Sequence, residues 1–139
     1  MPERGSRTVL AFDFGLKRIG IAVGEPELGT AHPLPAIQAP GFDLITKLIS
    51  EWRPAALVVG LPVAERGEHP LAKRVERFAR QLEGRFHLPV ARVDERFTSV
   101  EAESRLRETK TKSGMKKTAV DSVAAQLILE QYLNDPAAA

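Results

Sequence analysis

Cysteine is absent from the 139 residues. That excludes disulfides, thiolate metal sites and thiol nucleophiles. Aromatic residues are few: one Trp, one Tyr and six Phe. No row of base-stacking platforms is legible, and Phe97 is the one candidate, with core packing as its other reading. The three histidines, His32, His69 and His87, lack ligand spacing such as HExxH, which argues against zinc. No apolar run reaches the ~20 residues that cross a bilayer. The apolar stretch near the N-terminus is broken at once by Asp13, so no signal-peptide core is read. A single domain over 1–139, cytoplasmic and without a membrane partner, is the expectation, with 134–139 as a frayed tail.

What is present is an ordinary globular composition, 43% hydrophobic and 27% charged, with an uneven charge distribution. The formal net charge is +2. Yet Arg66 to Lys117 holds fourteen Lys/Arg against eight Asp/Glu, and Thr109 to Lys117 carries four lysines and no acid. A local basic excess of this kind suits contact with a polyanion, or a solvated helix face and loop.

Hydrophobic period divides the chain into elements. Val9 to Phe12 and Ile19 to Val23 read as a hairpin around the turn Asp13 to Arg18. Thr30 to Gln38, interrupted by Pro33 and Pro35, suits an edge strand. Leu44, Ile45, Leu48, Ile49 and Trp52 share a helical face, and Pro54 stops that helix. Ala55 to Val59 is apolar throughout, as for a strand buried on both sides. A second helix turns Leu71, Val75, Phe78, Ala79, Leu82 and Phe86 inward, with Lys73, Arg74, Arg77 and Arg80 on its other face. Pro89 to Val93 is a further strand. Val100 to Glu108 reads as helical, Thr109 to Lys117 as a basic loop, and Ala119 to Leu133 as the last helix. A meander followed by helix–strand alternation implies an α/β fold. Its mixed sheet has helices on its faces, with the first strand parallel to the two later ones.

That topology sends Asp13 and the pair Asp94-Glu95 out of one sheet end, where ligands of such sheets bind. Asp121, in the first turn of the last helix, supplies a third carboxylate. Converging carboxylates need a cation, and oxygen-only ligands suit Mg²⁺ or Mn²⁺. Two such ions, roughly 3.5–4 Å apart, activate water and stabilise the leaving oxygen of a phosphodiester. Each acid also has a purely local explanation. Asp13 suits a turn before Phe14-Gly15, Asp94 and Glu95 suit the start of a helix, and Asp121 stands three residues after Thr118 at capping-box spacing. Arg18 and Arg96 are placed to clamp phosphate oxygens, or to pair with neighbouring acids. Lys110, Lys112, Lys116 and Lys117 are placed to track a nucleic-acid backbone.

The segments AFDFGLKRIGIAVGE, VVGLPV, VDERFTSVEA and KKTAVDSVAAQLILEQYL, in that order and spacing, resemble the YqgF/RuvX family over about Thr8 to Leu133. The resemblance implies a ribonuclease H-like fold with a five-stranded mixed sheet, related to RuvC-type resolvases. It implies metal-dependent nuclease activity that matures the 5′ end of precursor 16S ribosomal RNA, with resolution of four-way DNA junctions as the alternative. The family's acidic residues fall on Asp13, Glu95 and Asp121. The chain departs from the pattern after its Gly-Leu-Pro turn. Where the family commonly has LNMDG, Ala64 replaces the Asn and Arg66 the Asp, with Glu65 between them.

Two other classes compete. An actin-like nucleotide-binding module shares Asp-x-Gly after a first strand but requires two domains, and no GxxxxGK[ST] loop occurs. In a non-catalytic nucleic-acid-binding module the acids would only cap and turn. A junction resolvase serves two strands, so a homodimer is expected of that alternative.

Overall fold

The computed structural model describes residues 7–62, 67, 69–94 and 117–134, with the backbone alone for 117–121. The elements follow as β1 (Val9–Phe14), β2 (Arg18–Glu25), β3 (Thr30–Gln38), α1 (Phe42–Trp52), β4 (Ala56–Leu61), α2 (Ala72–Phe86), β5 (Val90–Asp94) and α3 (Lys117–Leu133). The sheet order is β3-β2-β1-β4-β5. β1–β2 and β2–β3 are antiparallel, whereas β1–β4 and β4–β5 are parallel. Among the described residues, no helix is long and apolar enough to cross a membrane.

Strand alternation builds two cores. Leu10, Phe12, Ile21, Leu57 and Val59 point to one face and meet Ile45 of α1 and Val75, Phe78, Ala79 and Leu82 of α2. Val9, Ala11, Ala22, Ala31 and Val58 point to the other and meet Ala125, Ile128 and Leu129 of α3. The two-sided burial of the central strands is the physical reason for the uninterrupted apolar run in β4. The second core is rich in alanine, which lets α3 lie close to the sheet. Gly24 extends that closeness: a Cβ there would stand 2.7 Å from the Thr30 carbonyl oxygen, 3.1 Å from Leu133 and 3.2 Å from Leu129. Gly24→Ala is therefore expected to cost about 1–3 kcal/mol of stability, the range for overpacking, measured by denaturant unfolding.

Helix ends follow from local chemistry. Arg53 and His87 adopt left-handed backbone at the C-caps of α1 and α2, and their N–H groups donate to Ile49 O and Glu83 O. Such caps satisfy terminal carbonyls, and Pro54 and Pro89 follow at once or nearly so.

Several sequence expectations are corrected. β1 runs on through Phe14 and β5 through Asp94, so Asp13 and Asp94 are strand residues. Cross-strand pairing of Asp13 with Gly20 and Phe14 with Ile19 holds the end of β1, leaving 15–17 as the turn. Leu44 and Trp52 are not core residues, being 48% and 41% exposed. They flank a groove between α1 and β3, and among the described residues β3 is the sheet's edge, with no further strand beyond it. α3 begins at Lys117, which puts Thr118 inside the helix and Asp121 beyond its first turn. Thr118 is therefore no N-cap, and the capping-box explanation of Asp121 lapses. The expected helix at 100–108 and the basic loop up to residue 116 lie outside the described residues.

Candidate active site

Parallel pairing brings the carboxyl ends of β1, β4 and β5 to one end of the sheet. Phe12 is level with Val59, and Leu61 with Asp94. Asp13 is half-buried one residue beyond Phe12. By strand alternation it shares the face of Val9 and Ala11, the face covered by α3. Its neighbour Phe14 belongs to the opposite core. There the Phe14 ring lies 5.0 Å from that of Phe78, which also meets Phe12 at 6.0 Å and Phe42 at 5.9 Å. This aromatic cluster anchors the strand end that carries Asp13.

The early turns of α3 approach the same region. The Ser122 hydroxyl donates to the Leu34 carbonyl. Leu34 pairs with Ile21, and Ile21 with Phe12, so this contact marks the sheet row next to Asp13. The helical repeat places position 121 on the stripe of Ala125, Ile128 and Leu129, which packs on the sheet. Farther along, Gln131 Nε2 donates to the Asp94 carbonyl at 3.2 Å, tying α3 to the end of β5.

Of the three proposed carboxylates, Asp13 has a described side chain. Asp121 is described by its backbone, and Glu95, next after β5, lies outside the described residues. Among the described residues no three candidate ligand side chains converge. Asp13 offers hard oxygen donors in a half-buried position, which fits Mg²⁺ or Mn²⁺. Arg18 opens β2, half-buried and paired in register with Gln38. The turn that separates it from Asp13 is tight: a Cβ on Gly15 would meet the Arg18 carbonyl oxygen at 2.6 Å. Arg96, Lys110, Lys112 and Lys116 lie outside the described residues, as do Ala64, Glu65, Arg66 and Phe97. Lys117 is the first residue of α3.

The sequence reading passed over Arg92. On β5 it donates to Glu76 at 2.8 Å, to Glu83 at 2.7 Å and to the Val90 carbonyl at 2.6 Å. The signal was a single arginine within an apolar strand, where a cation needs partners. The hydrogen bond from Arg92 holds the Glu76 carboxyl below the usual carboxylate range, against the opposing effect of burial. A carboxylate with a lowered folded-state pKa stabilises the fold above its unfolded value, and that contribution is lost as pH falls through the folded value. Arg92→Met is expected to lower stability at neutral pH by about 1–2 kcal/mol. The estimate stays low because Glu76 and Glu83 are partly screened by solvent. The penalty should shrink as the solution is acidified below the ordinary carboxylate range, as unfolding curves at several pH values will report.

The sheet order, with three antiparallel strands followed by two parallel additions and helices on both faces, defines a ribonuclease H-like fold. A solved structure of Thermus thermophilus RuvC in complex with a Holliday junction substrate superposes with a TM-score of 0.57. It is 17% identical, covering 87% of this chain and 90% of that one. The chain belongs to the RuvX family, described as Holliday junction resolvase, whose model matches residues 7–135. Relatives include a Nitrosomonas europaea protein, 48% identical over 96% of this chain and 94% of its own length. Another, from Chromobacterium violaceum, is 51% identical over 94% and 99%. Both bear the name "Putative pre-16S rRNA nuclease".

Proposed function

We propose that this protein is a metal-dependent nuclease that hydrolyses phosphodiester bonds at the 5′ end of precursor 16S ribosomal RNA, with Asp13, Glu95 and Asp121 as its catalytic carboxylates. The observation that carries the proposal is the position of Asp13. It lies at the shared carboxyl end of three parallel strands, on the face where α3 packs, in a chain whose full-length relatives bear a nuclease name. Asp13 and Asp121, from the strand and the helix, and Glu95, next after β5, would hold Mg²⁺ or Mn²⁺, with two ions as the expected number. When bound, such ions activate water and stabilise the leaving oxygen. The chain's own cations do the remaining work. Arg18 and Arg96 orient the phosphate, and Lys110, Lys112, Lys116 and Lys117 hold the flanking backbone.

The family's description keeps a second substrate in view, the four-way DNA junction. The two readings separate in one assay of purified protein, Mn²⁺ or Mg²⁺, precursor ribosomal RNA and a four-way junction. Faster cutting of the RNA is the expected result. Symmetric cutting of the junction by a homodimer, with the RNA left intact, would reverse the assignment. Neutralising Lys110, Lys112, Lys116 and Lys117 together should weaken RNA binding. It should also reduce the slope of log K against log salt by about one for each phosphate no longer neutralised. An unchanged slope places the backbone-binding surface elsewhere.

A further inference from the structure

α2 carries five basic residues against two acids. Its two acids, Glu76 and Glu83, both bind Arg92 on β5. Lys73, Arg74 and Arg77 are exposed at the helix surface. The Arg80 side chain is 74% exposed and meets Glu76 at 3.4 Å. At the far end, the Arg85 guanidinium lies 4.1 Å from the centre of the Phe42 ring. Arg92 thus takes up the charge of both acids of the helix. Lys73, Arg77 and Arg80, at i, i+4 and i+7, share a face with Glu76 at i+3 and leave it net positive.

The placement of this stripe points to a ligand. α2 leaves the carboxyl end of β4, beside Asp13's end of the sheet, and returns toward the start of β5 across the face opposite α3. Its basic face therefore begins near the candidate active site and leads away from it. From Lys73 to Arg80 the helix rises ~10 Å, about the axial length of three phosphates of one duplex strand. Lys73, Glu76, Arg77 and Arg80 beside the small Ala72 line an open depression with no aromatic residue; Arg92 takes up the charge of Glu76, so the depression stays net positive, which suits phosphates rather than bases.

We propose that the outer face of α2 is a second backbone-binding surface, which grips the duplex flanking the scissile bond on the sheet face opposite α3. The inference rests on the nuclease reading above. Such contacts give a preference for substrate length, not for sequence.

The test is salt-dependent binding of a precursor RNA with a long duplex arm and of the same RNA trimmed to the cleavage region. The wild type should bind the long RNA more tightly. The triple variant Lys73→Gln/Arg77→Gln/Arg80→Gln should bind the long RNA about tenfold or more weakly. It should lose about two to three units of salt slope and the length preference, with its melting temperature confirming the fold. Lys47→Gln, an exposed α1 cation outside the stripe, should change none of these. A triple variant with wild-type affinity and slope overturns the stripe and leaves the nuclease reading standing. A wild type that binds neither RNA nor DNA removes both. Tighter binding of the stripe to anionic lipid vesicles than to RNA assigns the surface to membranes and overturns the inference.

Discussion

Asn in place of Asp13 is expected to lower turnover of precursor RNA by about a thousand-fold or more. The basis is the charge the carboxylate supplies. A cation that stabilises a phosphodiester transition state contributes several kcal/mol, and each 1.36 kcal/mol is about tenfold in rate. Asn keeps the shape of Asp but removes its charge, so packing at the end of β1 is conserved. Single-turnover cleavage read beside a thermal melt separates lost chemistry from lost fold. Near-normal turnover by Asp13→Asn would remove the residue from the site.

Phe78→Ala is expected to destabilise the protein by about 3–5 kcal/mol, the usual cost of deleting a buried phenyl ring. Phe78 is 2% exposed, and its ring touches those of Phe12, Phe14 and Phe42. Such a loss is a large share of the ~5–15 kcal/mol that stabilises a domain. The site should suffer as well, because Phe14 on Phe78 pins the strand end beside Asp13. Activity of Phe78→Ala should therefore decline at temperatures below its own unfolding midpoint. Chemical denaturation and cleavage measured over one temperature series will check both parts. Parallel loss of fold and activity would mean that the aromatic cluster supports stability alone.

The alternation of apolar residues in β1, β2 and α2 made most of the fold legible, because burial on a sheet face or helix stripe leaves a period in the sequence. Thr30 to Gln38 shows how far local chemistry reaches: its prolines pointed to an edge strand, and β3 is that edge. Leu44 and Trp52 share the helical spacing of the core residues yet stay exposed, because periodicity reports a helix face but not how far the sheet beneath it extends. β1 extends past its apolar run because pairing with Gly20 overrides the poor strand propensity of Asp13. Thr118 looked like a cap because three-residue spacing carries no information on where the helix starts. Arg92 escaped notice because its partners Glu76 and Glu83 are distant in sequence and meet it only after α2 packs. For the candidate site, strand order places Asp13 at the carboxyl end of the parallel strands, and Asp121 lies within α3, beyond its first turn. The pairing of β5 stops at Asp94, one residue before Glu95.

Metal binding tests the three carboxylates most directly. Mn²⁺ titration of the wild type, followed by electron paramagnetic resonance of the free ion, should show saturable binding. That binding should be weakened strongly and separately by Asp13→Asn, Glu95→Gln and Asp121→Asn, in step with cleavage. Wild-type Mn²⁺ affinity and cleavage in all three variants would contradict the account.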